Sequence, residues 1–216
     1  MNKQNGFIPL FKNIERSEYL RMDLSKNNTE LAKIDLSVPE HLENYINQYL
    51  AKKNSKVAYG GYLEHRNLYN HNHIFLKKDQ RNIHLGVDFW IDEETAILTP
   101  FDGVVHSFAN NTNDGDYGPT IILKHIVNDE VFYTLYGHLS LDSIATIKIG
   151  SSFKKGEVVA KIGNAQVNGG YAPHLHFQII LNIDDYKGDY PGVASANEIT
   201  FFKNNCPNPL IYLGLD

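Results

Sequence analysis

The chain has 216 residues, a hydrophobic fraction of 42% and a formal net charge of −5 with histidine neutral. That length holds one large domain or a modest domain with an extension, and the apolar content argues against disorder. The acidic balance, with no basic run longer than Lys52-Lys53 or Lys77-Lys78, excludes a nucleic-acid partner on electrostatic grounds.

A single cysteine, Cys206, excludes an internal disulfide scaffold. No stretch approaches the ~20 apolar residues of a membrane span. Residues 1–10 lack the apolar core and small-residue cleavage site of a signal peptide. This favours a cytoplasmic location, or a periplasmic or extracellular one if a signal has been removed. Abundant Tyr and Phe suit a β-rich fold.

In chain order, residues 1–75 are mixed and polar. Ser37 and Pro39 suit a helix start. Leu42, Tyr45, Ile46, Tyr49 and Leu50 then recur at helical spacing, so the pattern predicts an amphipathic helix over about 39–52. Gly60-Gly61 marks a turn. One helix and few periodic apolar positions predict that this region is an N-terminal extension packing on the core, with the principal domain at 76–216.

From residue 83 short strands and turns take over. Strands are predicted at 103–108, 120–126, 131–138, 157–162 and 174–181, with a turn at 128–130 and a short helix after Ser140. The fold class is mainly β, an antiparallel sheet in a barrel-like sandwich with an N-terminal helical extension.

Three local patterns carry candidate chemistry. In His174-Leu175-His176 a strand turns both imidazoles to one side and Leu175 and Phe177 to the other. In His84-Leu85-Gly86-Val87-Asp88 a spacing of four puts both side chains on one face, and His with Asp suits zinc. Tyr136-Gly137-His138-Leu139-Ser140 brings a third histidine to a hairpin end. Each alone is weak: an isolated H-x-H is more often a pair of surface histidines. His71-Asn72-His73 lies in an irregular stretch and is read as non-metal. His125 reads as structural, His106 as a strand residue near the groove, and His41 and His65 as surface or packing residues.

Together, in the order H-x-x-x-D, Y-x-H-L-S, H-L-H-F, these patterns resemble the lysostaphin-type (LytM-like) zinc metallopeptidases. The segments 99–105 and 155–163 also look like that family, the second being shared with the wider hybrid-motif fold. The resemblance spans about residues 83–181. It implies a duplicated hybrid motif, zinc as cofactor, His84, Asp88 and His176 as metal ligands, and His138 and His174 as catalytic histidines, without distinguishing the roles of the last two. It implies a peptide substrate, possibly peptidoglycan. The loop 164–173 is longer than is usual in the family and carries Tyr171, which implies a reshaped groove. The tail, with Asp189-Tyr190-Pro191-Gly192-Val193 and Cys206-Pro207-Asn208-Pro209, resembles a subgroup fused in some proteins to kinase-like and class-III aminotransferase-like domains. Three readings follow: an endopeptidase for peptidoglycan-type or Gly/Ala-rich peptides, an intracellular zinc hydrolase of a small peptide or amide, and a non-catalytic binding module. The intact set of five residues argues against the third.

Overall fold

The computed structural model describes residues 6–66 and 81–216; the His71-Asn72-His73 pattern lies outside them. The main chain forms β1 (Tyr19–Arg21), α1 (Pro39–Lys53), β2 (Val57–Gly60), β3 (Ile83–His84), β4 (Val87–Trp90), β5 (Ala96–Leu98), β6 (Gly103–Asn111), β7 (Gly118–Val127) and β8 (Glu130–Gly137). It continues through α2 (Leu141–Ala145), β9 (Ser152–Phe153), β10 (Val158–Lys161), β11 (His174–Ile180), β12 (Val193–Ala194), α3 (Ile199–Asn205) and α4 (Pro209–Leu213).

Eight strands make one open sheet in the order β1-β2-β4-β11-β8-β7-β6-β9. Its pairings are antiparallel except β1 on β2, which is parallel and lies in the extension. Two small sheets, β10-β5 and β12-β3, flank it. The architecture is mainly β, as the strand-and-turn texture predicts. Local chemistry sets the turns: Asn128 and Asp129 both take positive φ, 51° and 64°, and close the β7–β8 hairpin at Val127 opposite Glu130. Asn and Asp tolerate this left-handed region, which a two-residue turn matching strand twist requires.

Strand β11 sits centrally, between β4 and β8, and all seven of its residues are buried. Leu175, Phe177 and Ile179 enter the largest apolar cluster, with Val87 and Phe89 of β4 and Tyr136 of β8. His174, His176 and Gln178 alternate to the other face. The extension contributes Ile8, Leu10, Phe11, Tyr19, Val57 and Tyr59 to the same cluster. Leu10 and Phe11 lie along β5: the Leu98 amide donates to the Leu10 carbonyl, and Phe11 bridges Ile97. Helix α1 has proline in its first turn and Asn54 in a left-handed cap. It buries Leu42, Ile46 and Leu50, one face at i, i+4, i+8, against Met22, Leu24, Ala58, Trp90 and Ala172. No helix among the described residues is long and apolar enough to cross a membrane.

Candidate metal centre and cavity

The site is a single rung of the sheet. Asp88 on β4 faces Gly60 on one side and His176 of β11 on the other, and His176 faces Gly137 of β8. The rung therefore carries two side chains flanked by two glycines. Two residues along, on the same face, Trp90 opposes His174, and the two rings stack at 5.8 Å. Residues opposed across an antiparallel pair have Cβ atoms about 4.5–5.5 Å apart, which brings Asp88 and His176 together. His84, four residues before Asp88, arrives from β3.

Three acceptor atoms converge there. His84 Nε2 lies 2.9 Å from His176 Nδ1. Asp88 Oδ1 lies 3.1 Å from His176 Nδ1 and 3.3 Å from His84 Nε2. The far nitrogen of each ring faces an acceptor: His84 Nδ1 donates to the Gly61 carbonyl at 3.0 Å, and His176 Nε2 lies 2.9 Å from Gln178 Oε1. The Gln178 amide nitrogen is turned to the Pro191 carbonyl and Cys206 Sγ, so its oxygen is the atom left for His176. Each ring thus carries its proton away from the cluster and aims a lone pair into it. Three lone pairs, one on a carboxylate, repel one another unless a cation lies between them. Tetrahedral zinc with bonds of about 2.0–2.2 Å spaces its ligand atoms about 3.3–3.6 Å apart; the three atoms, 2.9–3.3 Å apart, would accept it on spreading by a few tenths of an ångström, and their chemistry suits it. Among the described residues His84, Asp88 and His176 are the one such group able to hold a metal ion. All three are buried.

The other two predicted histidines stand beside them. His138 and His174 have ring centroids 4.3 Å apart. His138 Nδ1 donates to the Asn168 carbonyl and His174 Nδ1 to the Ala172 carbonyl, both at 2.7 Å. A carbonyl only accepts, so each ring keeps Nε2 as a free base. His174 Nε2 is 3.9 Å from Asp88 Oδ1. His138 follows β8 rather than ending it and takes a φ of 62°, a left-handed conformation kept at a cost of order 1–3 kcal/mol where the surroundings enforce it. Burial pushes both imidazoles below the ordinary histidine range, and His138 falls further under the influence of His174 and His176. His84 is pushed down to about 4, first by burial. Burial opposes ionisation of Asp88, yet the neighbouring cationic groups, His84 when protonated and Arg66 permanently, outweigh it. They hold its carboxyl well below the usual carboxylate range.

These residues open on a cavity of about 290 Å³, at the lower edge of the ~300–1,000 Å³ typical of small-molecule sites. Tyr117, Tyr171, Tyr186 and Tyr190 line it, with Leu42 of α1 at one side and Asp189 to Val193 at another. Tyr171, from the lengthened loop, lies against His138 and His174 and bonds the Gly115 carbonyl. Gly86 is required here: a methyl at its Cβ would come within 2.7 Å of the His176 ring. His125 is buried between the Asp102 carbonyl and Thr134 and does not line the cavity. His106 packs on Tyr133 and does not line the cavity, nor does the fully buried Tyr136. Sequence reasoning missed Arg66, Tyr117 and Gln178. Only Gln178 carried a signal, since it continues the alternation that turns His174 and His176 inward.

Comparison with known proteins finds relatives for about half of the chain. Residues 82–187 match the model of peptidase family M23. An uncharacterized metalloprotease of Haemophilus influenzae is 35% identical over 116 residues, covering 52% of this chain and 22% of the relative. Peptidoglycan DD-endopeptidase ShyA of Vibrio cholerae is 29% identical over 117 residues, covering 52% of this chain and 24% of its own length. The chain thus spans less than a quarter of these curated relatives. Among solved structures, the catalytic domain of lysostaphin from Staphylococcus simulans is 27% identical with a TM-score of 0.38, covering 56% of this chain and 80% of that one. The chain thus carries a peptidase family M23 domain at residues 82–187.

Proposed function

We propose that the protein is a zinc-dependent endopeptidase that hydrolyses peptide bonds in peptidoglycan-type or Gly/Ala-rich peptides. His84, Asp88 and His176 hold the metal, and His138 and His174 are the catalytic residues. The observation that carries this reading is the convergence of three lone pairs on one point, each imposed by a hydrogen bond on the far side of its ligand. His176 is preferred to His174 as third ligand because its ring nitrogen lies nearer Asp88 Oδ1, 3.1 Å against 3.9 Å. Three protein ligands leave a fourth position, the layout of a catalytic zinc site.

Zinc, when bound, supplies Lewis-acid polarisation of the scissile carbonyl and acidifies a water. The chain's own residues do the rest. His138 and His174 both start neutral with Nε2 unprotonated. One takes the proton released by the attacking water and returns it to the leaving amine. The other, on taking up a proton from solvent at Nε2, would donate a hydrogen bond to the developing oxyanion. The proposed division of the chain is an extension, 1–75, packing on a peptidase domain, 76–216, whose core has the duplicated hybrid motif.

A second reading, hydrolysis of short peptides or small amides, is favoured by one observation. The cavity is walled by Leu42 and Arg66 before the family-matched stretch and by Asp189–Val193 after it. Digestion of purified cross-linked peptidoglycan and of a library of free Gly/Ala-containing peptides, with zinc-loaded and chelator-treated protein, separates the two by mass spectrometry. Zinc-dependent release of cross-bridge or stem fragments supports the endopeptidase. Cleavage confined to short free peptides supports the second reading, and cleavage that survives metal removal defeats both.

A further inference from the structure

Two of the three proposed ligands are held by a segment that lies outside the family-matched stretch. After β2 the chain turns at Gly61, whose φ of 105° suits glycine alone, and runs back beside β3. The Leu63 amide donates to the His84 carbonyl, the His84 amide to the Glu64 carbonyl, and the Arg66 amide to the Asn82 carbonyl. The Gly61 carbonyl receives His84 Nδ1. Arg66 is 2% exposed. Its Nη1 contacts Asp88 Oδ2 at 2.5 Å, its Nε contacts Glu64 Oε2 at 2.6 Å, and its guanidinium carbon lies 5.6 Å over the Trp90 ring.

We infer that Arg66 is a positioning residue for the metal centre, clamping the outer oxygen of Asp88 so that only Oδ1 faces His84 and His176. The inference rests on the metal-centre reading above. A carboxylate free to rotate offers either or both oxygens; one oxygen fixed by a charge-assisted bond leaves the other to coordinate singly. A guanidinium beside a dication also repels it. Here Glu64 offsets that repulsion, because Glu64, Arg66 and Asp88 together carry one net negative charge, as Asp88 would alone. Orientation is what the triad adds. The fork geometry matters as well: one planar group reaches both carboxylates, and the Trp90 ring, itself stacked on His174, fixes its plane.

The test measures zinc affinity on the full-length protein by competition with a colorimetric chelator, with thermal melting of the metal-free protein alongside. Arg66→Ala is expected to weaken zinc binding about 10–100-fold. Arg66→Lys, which keeps the charge but not the fork, is expected to recover part of that loss. Ile46→Ala is the control: it opens the α1 core and leaves Glu64, Arg66 and Asp88 with their mutual bonds. It should lower the melting temperature and leave zinc affinity unchanged. If Arg66→Ala fails to fold, Arg66→Lys measured against Ile46→Ala decides by the same criterion. The inference is overturned if the Arg66 variants bind zinc as wild type does, if they bind it more tightly, or if Ile46→Ala loses as much affinity. Wild-type protein that takes up no zinc overturns the metal-centre reading itself; wild type that binds, beside Arg66 variants that bind equally, overturns the clamp alone.

Discussion

At the scale of single residues, the buried histidines divide by what their neighbours allow. Four gather at the cavity, while His125 is enclosed in the sheet by Phe101 and Phe132, 5.6 and 4.9 Å away between ring centroids. Burial lowers its pKa from 6.5 to about 4, against a smaller opposing effect of its bond to Asp102. A histidine whose folded value is depressed stabilises the protein fully above its unfolded value. That contribution is lost as pH falls from about 6.5 through about 4. His125 alone should therefore remove about 2 kcal/mol between pH 7 and pH 5. Urea unfolding of the metal-free protein at those two pH values, with the His125 ring followed by NMR, checks this. A ring that titrates near 6.5 with no loss of stability would refute it.

At the scale of elements, the extension completes the core. Phe11 is fully buried between Tyr19 and Phe89 and is joined to β5 at Ile97. Phe11→Ala should cost about 3–5 kcal/mol, the usual range for deleting a buried aromatic ring, and removal of residues 1–75 should leave the domain insoluble. A loss below about 1 kcal/mol, or a truncated chain as stable as the whole, would contradict the packing. The elements legible in the sequence were those whose own period shows. These were α1, which runs to Lys53, the β7–β8 hairpin with its Asn128-Asp129 turn, and β11 with its inward histidines and outward Leu175 and Phe177. What stayed hidden depended on distant partners. Strand β2 is four residues with no alternation, buried throughout, and is specified by β4 rather than by itself. Strand β1 is three residues long and joins β2 in parallel. Arg66 reads as one more surface charge until Asp88 and Glu64 are seen beside it. His174 and His176 could be picked out because a strand turns an H-x-H pair to one face; His84 and Asp88 lie on separate strands, β3 and β4, and they and His138 were marked by the order of the three motifs rather than by a shared strand face.

At the scale of the whole molecule, a central sheet brings three lone pairs to one point and stands two neutral bases beside it. Its pieces come from β3, β4, the end of β8 and β11, held by the extension on one side and the 189–193 segment on the other. The most direct test is zinc content by atomic emission measured with peptide cleavage in five single variants. His84→Ala, Asp88→Ala and His176→Ala each remove a proposed ligand and should lose both zinc and cleavage. His138→Ala and His174→Ala leave all three proposed ligands, so they should retain near-stoichiometric zinc while cleavage falls ~10²–10⁴-fold. If His174→Ala loses zinc while His176→Ala retains it, the ligand and the base are exchanged. If all five variants keep both zinc and cleavage, the centre lies elsewhere and the account fails.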